Sequence, residues 1–320
     1  MRHSLDEKDR RIAAALVASP RISWRELGRV LDLSERTVIR RATTLYADGT
    51  LRATAVRNPA LVAGMVPIAL RIGCRPTKIR QIAQALSQRG DTVWVDILAS
   101  GNEISAVFFL DNPESRNNLL LRDLPATEAV ESWTVHTLLR VFPTAFRWTA
   151  GLLTAHEYAE LVPVHPATEP AAYRAHSLDM ALTDELVADG RASYVELADR
   201  VGTTPLTVRR RLEAMLDAQI LRLATEVDLA LLGAQAEALL WIAMPPATLN
   251  PVAEQLSGHP LVRFCAATTG PANLLVAVAT ADLDALYTFL TDTAGPLESA
   301  RSIDITPLLA SVKRTGLIRH

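Results

Sequence analysis

The stretch at residues 33–51, LSERTVIRRATTLYADGTL, has a counterpart 170 positions further along the chain, TTPLTVRRRLEAMLDAQIL at residues 203–221. Both stretches open with small polar residues, continue through an arginine pair and end in strand-like residues. The same shift aligns Asp9 with Asp179 and Arg21 with Arg191. Self-similarity on this scale indicates a duplication. The 320-residue chain therefore carries two copies of one protein.

Each copy is predicted to begin with three helices. In the first copy, residues 9–18 place apolar side chains on one face, and Ser23 caps a second helix with Glu26 at the capping-box position. Ser34 caps a third helix, which Gly49 ends. The second copy repeats the scheme, with a Thr-Pro start to its third helix. Residues of the third helices at the spacing of a buried face are Val38, Ala42 and Leu45, and then Val208, Leu212 and Met215.

The rest of each copy changes to the alternating periodicity of strands. Residues 65–141 predict strand, helix, strand, strand, helix and strand, and residues 238–311 repeat this order. Such a βαββαβ unit forms a four-stranded antiparallel sheet with both helices on one face. The predicted fold class is α+β, in which two winged helix-turn-helix domains alternate with two ferredoxin-like βαββαβ domains.

The domain boundaries follow from these changes of period. We place the first helix-turn-helix domain at residues 1–60, the first ferredoxin-like domain at 61–150, a linker at 151–176, the second helix-turn-helix domain at 177–230 and the second ferredoxin-like domain at 231–320. The linker is rich in Pro and Ala. A flexible linker of this length spans about 25–30 Å. We therefore expect the βαββαβ units to pair within one chain or with those of a second chain, in a homo-oligomer.

The helical segments fit a helix-turn-helix whose second helix enters the major groove of double-stranded DNA. Residues at the start of that helix reach base edges, and arginines one turn later suit phosphates. Residues 1–57 carry 12 Lys and Arg against 7 Asp and Glu, a net charge of +5, whereas residues 174–230 carry 7 against 10, a net charge of −3. A trihelical interaction module with a solvated arginine face is the bland alternative. The predicted DNA-binding residues are Ser34, Glu35, Arg36, Thr37, Arg40, Arg41, Thr44, Thr204, Pro205, Thr207, Arg209, Arg210 and Arg211.

The segments SLDEKDRRIAAAL and RISWRELGRVLDLSERTVIRRATTL, followed by a βαββαβ unit, resemble the Lrp/AsnC family of feast/famine transcriptional regulators. In the second copy, DRVGTTPLTVRRRLEAM is closer still to the recognition-helix pattern of that family. The resemblance covers nearly the whole chain, as two regulators in tandem. It implies a DNA-binding regulator whose βαββαβ domains, of the RAM or AsnC type, pair and bind a small effector, often an amino acid. The effector is expected near the glycine turn between the second and third strands.

With the offset changed to 169, Gly101 falls on Gly270 and Ile104 on Asn273. The family commonly has an acidic or amide residue three positions after the turn glycine, so the second turn is expected to be the better effector site. Both glycines also have a purely structural interpretation as turn residues. The predicted effector-binding residues are Ser100, Gly101, Asn102 and Glu103 in the first copy, and Thr269, Gly270, Pro271 and Asn273 in the second.

Neither catalytic residues nor a metal or cofactor site are predicted. The seven histidines lack metal-ligand spacing, and Cys74 and Cys265 lie in apolar segments typical of buried thiols. One alternative is a siroheme-decarboxylase-like enzyme, a class that resembles Lrp/AsnC regulators, although the strands EISAVFFL and NLLVAVAT have no histidine beside them. A sensor or scaffold that does not bind DNA is another. Because no apolar run reaches the roughly 18–20 residues of a membrane span, we expect a cytoplasmic protein without a membrane partner.

Overall fold

The computed structural model of the protein describes residues 5–59, 61–62, 64–142, 148–162, 176–295 and 297–319. The chain forms two compact units. The helical unit combines Met1–Val62 with Phe146–Leu232, and the sheet unit combines Ala63–Ala145 with Gly233–His320. Each unit therefore contains the same half of both copies.

The helical unit contains the predicted three helices of each copy. Ser34 and Thr204 cap the third helices by accepting a hydrogen bond from the backbone N–H three residues further on. The six apolar residues predicted to face inward from these helices are all buried, which confirms the predicted periodicity. The elements are α1 (Glu7–Ala18), α2 (Trp24–Leu31), α3 (Glu35–Ala47), β1 (Leu51–Arg57), α6 (Ala155–Leu161), α7 (Leu178–Ala188), α8 (Tyr194–Val201), α9 (Pro205–Asp217) and β6 (Leu221–Val227).

Strands β1 and β6 pair with each other, antiparallel, along all seven residues of each strand. A single strand leaves its backbone N–H and C=O groups without ladder partners, and here each copy supplies partners for the other. The Thr54 hydroxyl donates to the carbonyl of Val187 in α7, and the Thr225 hydroxyl donates to that of Leu16 in α1. Each strand is thereby tied to the first helix of the other copy.

Helix α6 lies inside the segment predicted as a linker. Thr154 and Glu157 form a capping box at its start, and Leu161 at its end is buried. The Glu157 carboxylate also forms an ion pair with Arg11 of α1. The Thr-x-x-Glu signal was present in the sequence, but a Pro- and Ala-rich surrounding concealed it. Most of the predicted linker, residues 163–175, lies outside the described residues.

The sheet unit contains the predicted βαββαβ order twice. Within each copy the strand order is that of a ferredoxin-like sheet, β3-β4-β2-β5 and β8-β9-β7-β10. One apolar cluster per copy fills the space between the sheet and its helices. The elements are β2 (Val66–Cys74), α4 (Ile79–Gln88), β3 (Thr92–Leu98), β4 (Glu103–Leu110), α5 (Pro113–Asn118) and β5 (Val130–Val141), then β7 (Ala236–Ala243), α10 (Pro246–Ser257), β8 (Val262–Thr268), β9 (Leu274–Thr280), α11 (Leu283–Phe289), β10 (Ser302–Arg314) and β11 (Leu317–Ile318).

The last strand of each βαββαβ unit crosses to the sheet of the other copy. Strand β5 pairs with β8, and β10 pairs with β7 along its first half and with β3 along its second half. The eight strands β2–β5 and β7–β10 thereby close into a ring. A third apolar cluster, drawn from both copies, lies between the two sheets. The predicted pairing of the two units is confirmed within one chain, and association of whole chains stays a prediction.

The strand register shows how the two copies correspond. Ile104 lies opposite Ile72 in the β2–β4 ladder, and Leu274 lies opposite Ile242 in the β7–β9 ladder. Both pairs differ by 170 positions, the same offset that aligns the helical segments. The offset therefore stays constant through both turns.

This register corrects the alignment of the turns. Glu103, and not Ile104, occupies the place that Asn273 has in the second copy. The offset of 169 that superposed Gly101 on Gly270 was wrong, because the two turns have the same length and differ only in where the glycine stands. Ile104 is fully buried in the core of the first sheet.

Candidate DNA-binding surface and effector sites

A tight turn precedes each recognition helix. Asp32 at the end of α2 and Gly202 at the end of α8 adopt the left-handed backbone conformation, with φ of 53° and 69°. Gly28 permits a close approach of the turn to α2, because a Cβ there would lie 2.7 Å from the carbonyl oxygen of Leu33. These turns give each copy the geometry of a helix-turn-helix.

The predicted DNA-binding residues lie at the exposed start and outer face of each recognition helix. Thr37 and Thr207 are half-buried, and their hydroxyls lie 2.8 Å and 2.9 Å from those of the capping residues. Arg36, Arg40 and Thr44 follow at four-residue spacing, which places them on one face of α3. The exposed members of the set are Ser34, Glu35, Arg36, Arg40 and Thr44 in the first copy, and Thr204, Pro205, Arg209 and Arg210 in the second.

Arg41 and Arg211 depart from the prediction. Arg41 donates to Asp6 and Asp9 at 2.6 Å and 2.7 Å, and hydrogen bonds to Asp9 and then Asp6 raise its pKa. Arg211 donates to both carboxylate oxygens of Asp179 at 2.9 Å and 2.8 Å. Because these carboxylates cap or belong to the first helix of each copy, the two arginines tie the recognition helix to its own domain.

The other arginines of the recognition helices are more available. Arg40 and Arg210 are exposed, and across the described parts of the chain neither forms an ion pair. Arg209 pairs with Glu213 one turn further on, at 2.8 Å. An exposed pair of this kind contributes little, about 0–1 kcal/mol, so a phosphate could displace Glu213.

Two arginines that had appeared only as matching positions of the duplication join the two helix-turn-helix domains. Arg21 donates to two backbone carbonyl oxygens of the second copy, each at 2.9 Å. Arg191 donates to two of the first copy, at 2.5 Å and 3.2 Å. The acceptors are Gly190 and Ala192, and Pro20 and Ile22. Because the contacts are reciprocal, an approximate twofold axis relates the two domains.

The two recognition helices are nevertheless chemically different. The constant offset of 170 aligns Arg40 with Arg210, so this arginine is common to both copies. Near the start of the helices the residues differ, and Leu206 is 76% exposed although it is apolar. The differing pairs are Glu35 and Pro205, Arg36 and Leu206, and Ile39 and Arg209.

The first predicted effector turn ends in an ion-paired carboxylate. Arg71 donates to both oxygens of Glu103, at 2.5 Å and 2.9 Å, and also pairs with Asp304 of β10. The hydrogen bonds to Glu103, followed by that to Asp304, raise the pKa of Arg71 against the effect of burial. The side chains of Arg71 and Glu103 each keep 22% exposure, and Ser100 and Asn102 are exposed beside them. A carboxylate and a guanidinium therefore stand side by side within reach of solvent.

In the second turn the amide is engaged with the backbone. Asn273 accepts a hydrogen bond from the N–H of Met244 at 3.0 Å and donates one to its carbonyl at 2.9 Å. The preceding residues Thr269, Gly270 and Pro271 are exposed. The acceptor on which the preference for this turn rested is thus already used.

His136 of the first copy lies against the second turn. Its Nδ1 is 2.8 Å from the carbonyl oxygen of Thr269, and its ring centroid is 4.5 Å from that of Trp241. Burial lowers its pKa. Gly270, with φ of 101°, is needed here for packing, because a Cβ would lie 2.7 Å from Nδ1 of His136. The expectation that no histidine stands beside these strands was wrong, because His136 and the turn belong to different copies.

The two cysteines are free and buried, as predicted. Burial raises the pKa of Cys74 to about 11 and that of Cys265 to about 12, so both thiols are protonated at neutral pH. No helix in the described ranges is both long enough and apolar enough to span a membrane.

Comparisons with known proteins agree with this architecture. The profile of the AsnC-type helix-turn-helix domain matches residues 5–45 and 177–216, and that of the Lrp/AsnC ligand binding domain matches residues 237–318. An uncharacterised HTH-type transcriptional regulator of Pyrococcus furiosus is 32% identical over 143 residues, which are 44% of this chain and 96% of that protein. A second, from Pyrococcus abyssi, is 29% identical over 143 residues, or 44% of this chain and 90% of that protein.

A solved structure is similar over nearly the full length. The siroheme decarboxylase NirDL superposes with a TM-score of 0.62, covering 97% of this chain and 93% of its own, at 12% sequence identity. At that identity the similarity shows the fold alone. Both copies carry the helix-turn-helix, and the second carries the ligand-binding domain that its relatives share, so the chain belongs to the Lrp/AsnC family of HTH-type transcriptional regulators, in a tandem-duplicated form.

Proposed function

We propose that one chain reads both halves of a DNA operator, with α3 on one half-site and α9 on the other, and regulates transcription in response to a small effector. The observation that carries this proposal is the reciprocal contact of Arg21 and Arg191. It relates the two helix-turn-helix domains as identical subunits of a dimer are related. Twofold-related domains of this type bind half-sites about 34–36 Å apart, or multiples of that distance.

Within each half-site the residues have different roles. Glu35 and Arg36 stand at the start of α3, where an arginine can pair with O6 and N7 of guanine. Arg40 and Arg210 suit phosphates, which position the protein without reading sequence. Arg41 and Arg211 act indirectly, because their ion pairs hold the recognition helices in place.

The two half-sites should differ in sequence. Arg36 offers a bidentate donor, whereas the matching Leu206 offers an apolar side chain that suits the methyl group of thymine. An operator for this chain is therefore an imperfect palindrome, with guanine favoured at one position and thymine at its symmetry mate.

Selection of bound fragments from a random double-stranded DNA library tests this proposal. The wild-type chain should select two unlike half-sites. Leu206→Arg should make the selected operator more symmetric, and Arg36→Leu should change the base preference in one half only. Arg122→Ala removes an exposed arginine of the sheet unit and should leave the selected sequence unchanged. If no motif emerges, or if affinity does not depend on salt, the chain is not a sequence-specific DNA-binding protein.

For the effector we favour the first turn over the second. A zwitterionic amino acid needs an acceptor for its ammonium group and donors for its carboxylate. Glu103 and Arg71 offer both, at the solvent-accessible end of their ion pair. Asn273 would have to give up two hydrogen bonds to the Met244 backbone first.

A siroheme-decarboxylase-like activity is the second candidate, because the fold similarity spans nearly the whole chain and a buried histidine lies between the copies. The His136 ring, however, is occupied by Thr269 and stacked on Trp241. We therefore expect no change in the absorption spectrum of iron-uroporphyrin III when the protein is added. A saturable shift that His136→Ala abolishes would favour the enzyme instead.

A further inference from the structure

A cavity lies inside the ring of strands, between the sheets of the two copies. About 340 Å³ of space is bounded by Trp94, Asp96 and Ser105 of the first copy and Leu239, Arg263 and Phe264 of the second, among others. No residue of either glycine turn lines it. The cavity is therefore separate from the effector site proposed above.

Asp96 is the unusual residue of this cavity. It is 4% exposed, and its Oδ1 has no hydrogen-bond partner among the described residues. Burial raises its pKa, and the charges of Arg314 and Arg263 only partly oppose this effect. The second copy has Ala266 at the same register position, also buried. The first copy thus places a carboxyl group with an unused acceptor where its duplicate has a methyl group, which destabilises the fold unless a donor reaches it.

The neighbouring charges are already balanced without a ligand. Arg314 donates to both oxygens of Glu237 at 3.0 Å and 2.8 Å, and Nε of Arg263 lies 3.1 Å from the same carboxylate. Together with an ionised Asp96, the cluster contains two acids and two arginines. Because an additional buried charge would be uncompensated, a ligand that fits here carries no net charge.

The remaining walls are apolar and aromatic. The rings of Trp94 and Phe264 lie 5.6 Å apart at 51°, and Leu239 and Leu275 complete the apolar lining. The volume is at the lower end of the range for ligand pockets, about 300–1,000 Å³. The walls therefore fit a small planar or compact apolar molecule.

We propose that this cavity binds a small uncharged molecule that has an apolar, preferably aromatic, body and an N–H or O–H group donating to Oδ1 of Asp96, with the hydroxyl of Ser105 as a second polar contact. The ligand lies between the two copies, so its binding strengthens their association. Indole and phenol are the simplest members of this class.

Isothermal titration of the full-length chain, without DNA, tests the proposal with indole as the probe. Benzofuran is the matched control, because it has the shape of indole without the N–H donor. We expect one indole site per chain and at least about tenfold weaker binding of benzofuran, a difference of about 1.4 kcal/mol. Asp96→Ala should abolish that preference, and Ala277→Phe should fill the cavity and prevent binding of both compounds.

Thermal unfolding serves as the folding control, and Asp96→Ala should be at least as stable as wild type. The proposal is overturned if indole does not bind, if it binds no tighter than benzofuran, or if Asp96→Ala retains the preference. Arg40→Ala should bind indole normally while binding DNA less well. The cavity proposal and the DNA-binding proposal can therefore fail separately.

Discussion

Arg21 and Arg191 hold corresponding positions in the two copies, and each donates two hydrogen bonds to backbone carbonyl groups of the other copy. The guanidinium carbon of Arg191 also lies 3.9 Å from the ring centroid of Trp24, and that of Arg21 lies 5.3 Å from the ring centroid of Tyr194. The two helix-turn-helix domains of one chain thus associate as two identical subunits would.

Removing either arginine should destabilise the helical unit. We expect Arg191→Ala to lower the free energy of unfolding by about 1.5–3 kcal/mol, because charged donors to buried carbonyls contribute on that scale. Arg21→Ala should cost less, since its ring contact is longer. Urea unfolding of the full chain measures both. Arg25→Ala, an exposed arginine of α2, should change stability by less than about 0.5 kcal/mol. Equal losses in all three variants would contradict the reciprocal contact.

The arginines of the recognition helices should separate into two classes. Arg40→Ala and Arg210→Ala should each reduce the slope of log affinity against log salt by about one unit, as expected for a lost phosphate contact. The loss of affinity should be larger for Arg40, because it lies in the segment of net charge +5. DNA titrations at several salt concentrations provide the slopes.

Arg41→Ala should leave that slope unchanged and lower stability instead, by no more than about 1 kcal/mol for a partly exposed ion pair. The same holds for Arg211→Ala. If Arg41→Ala reduces the slope as much as Arg40→Ala does, then Arg41 contacts phosphate and leaves Asp9 when DNA binds.

Effector binding should depend on Glu103 more than on Asn273. We expect Glu103→Gln to weaken the binding of an amino-acid effector at least about tenfold, because the acceptor for its ammonium group loses its charge. Asn273→Ala should mainly reduce stability, since it leaves the N–H and carbonyl of Met244 without their partners. A calorimetric screen of amino acids against wild type and both variants decides between the turns. Binding that survives Glu103→Gln but is lost in a folded Asn273→Ala would restore the second turn as the effector site.

Asp96 should make stability depend on pH in a direction opposite to most carboxylates. Its pKa is raised in the folded state, so the folded chain holds this proton more tightly than the unfolded chain does. Stability from this group is present below the ordinary pKa of aspartate, about 3.9, and is lost as the pH rises from there through the folded pKa. The stability of Asp96→Ala relative to wild type should therefore increase with pH and then level off. A relative stability that falls with pH would show that Asp96 is stabilised as the anion.

The sequence by itself determined the duplication, the helix-turn-helix pair and the order of the strands. Caps such as Ser34 and Thr204 and the spacing of Val38, Ala42 and Leu45 are local signals, because they act over three to seven residues of one element. The buried thiols followed in the same way from their apolar surroundings.

The tertiary structure decided what the polar residues do, because their partners lie far away in the chain. Arg41 and Arg40 are adjacent in sequence, yet only Arg41 meets Asp9. Glu103 rather than Ile104 matches Asn273 because ladder pairing sets the register, and a one-residue slip would turn a core isoleucine to the opposite face. His136 reached the second turn, and Asp96 the cavity, only because strands of the two copies close into one ring, which brings together residues more than 100 positions apart.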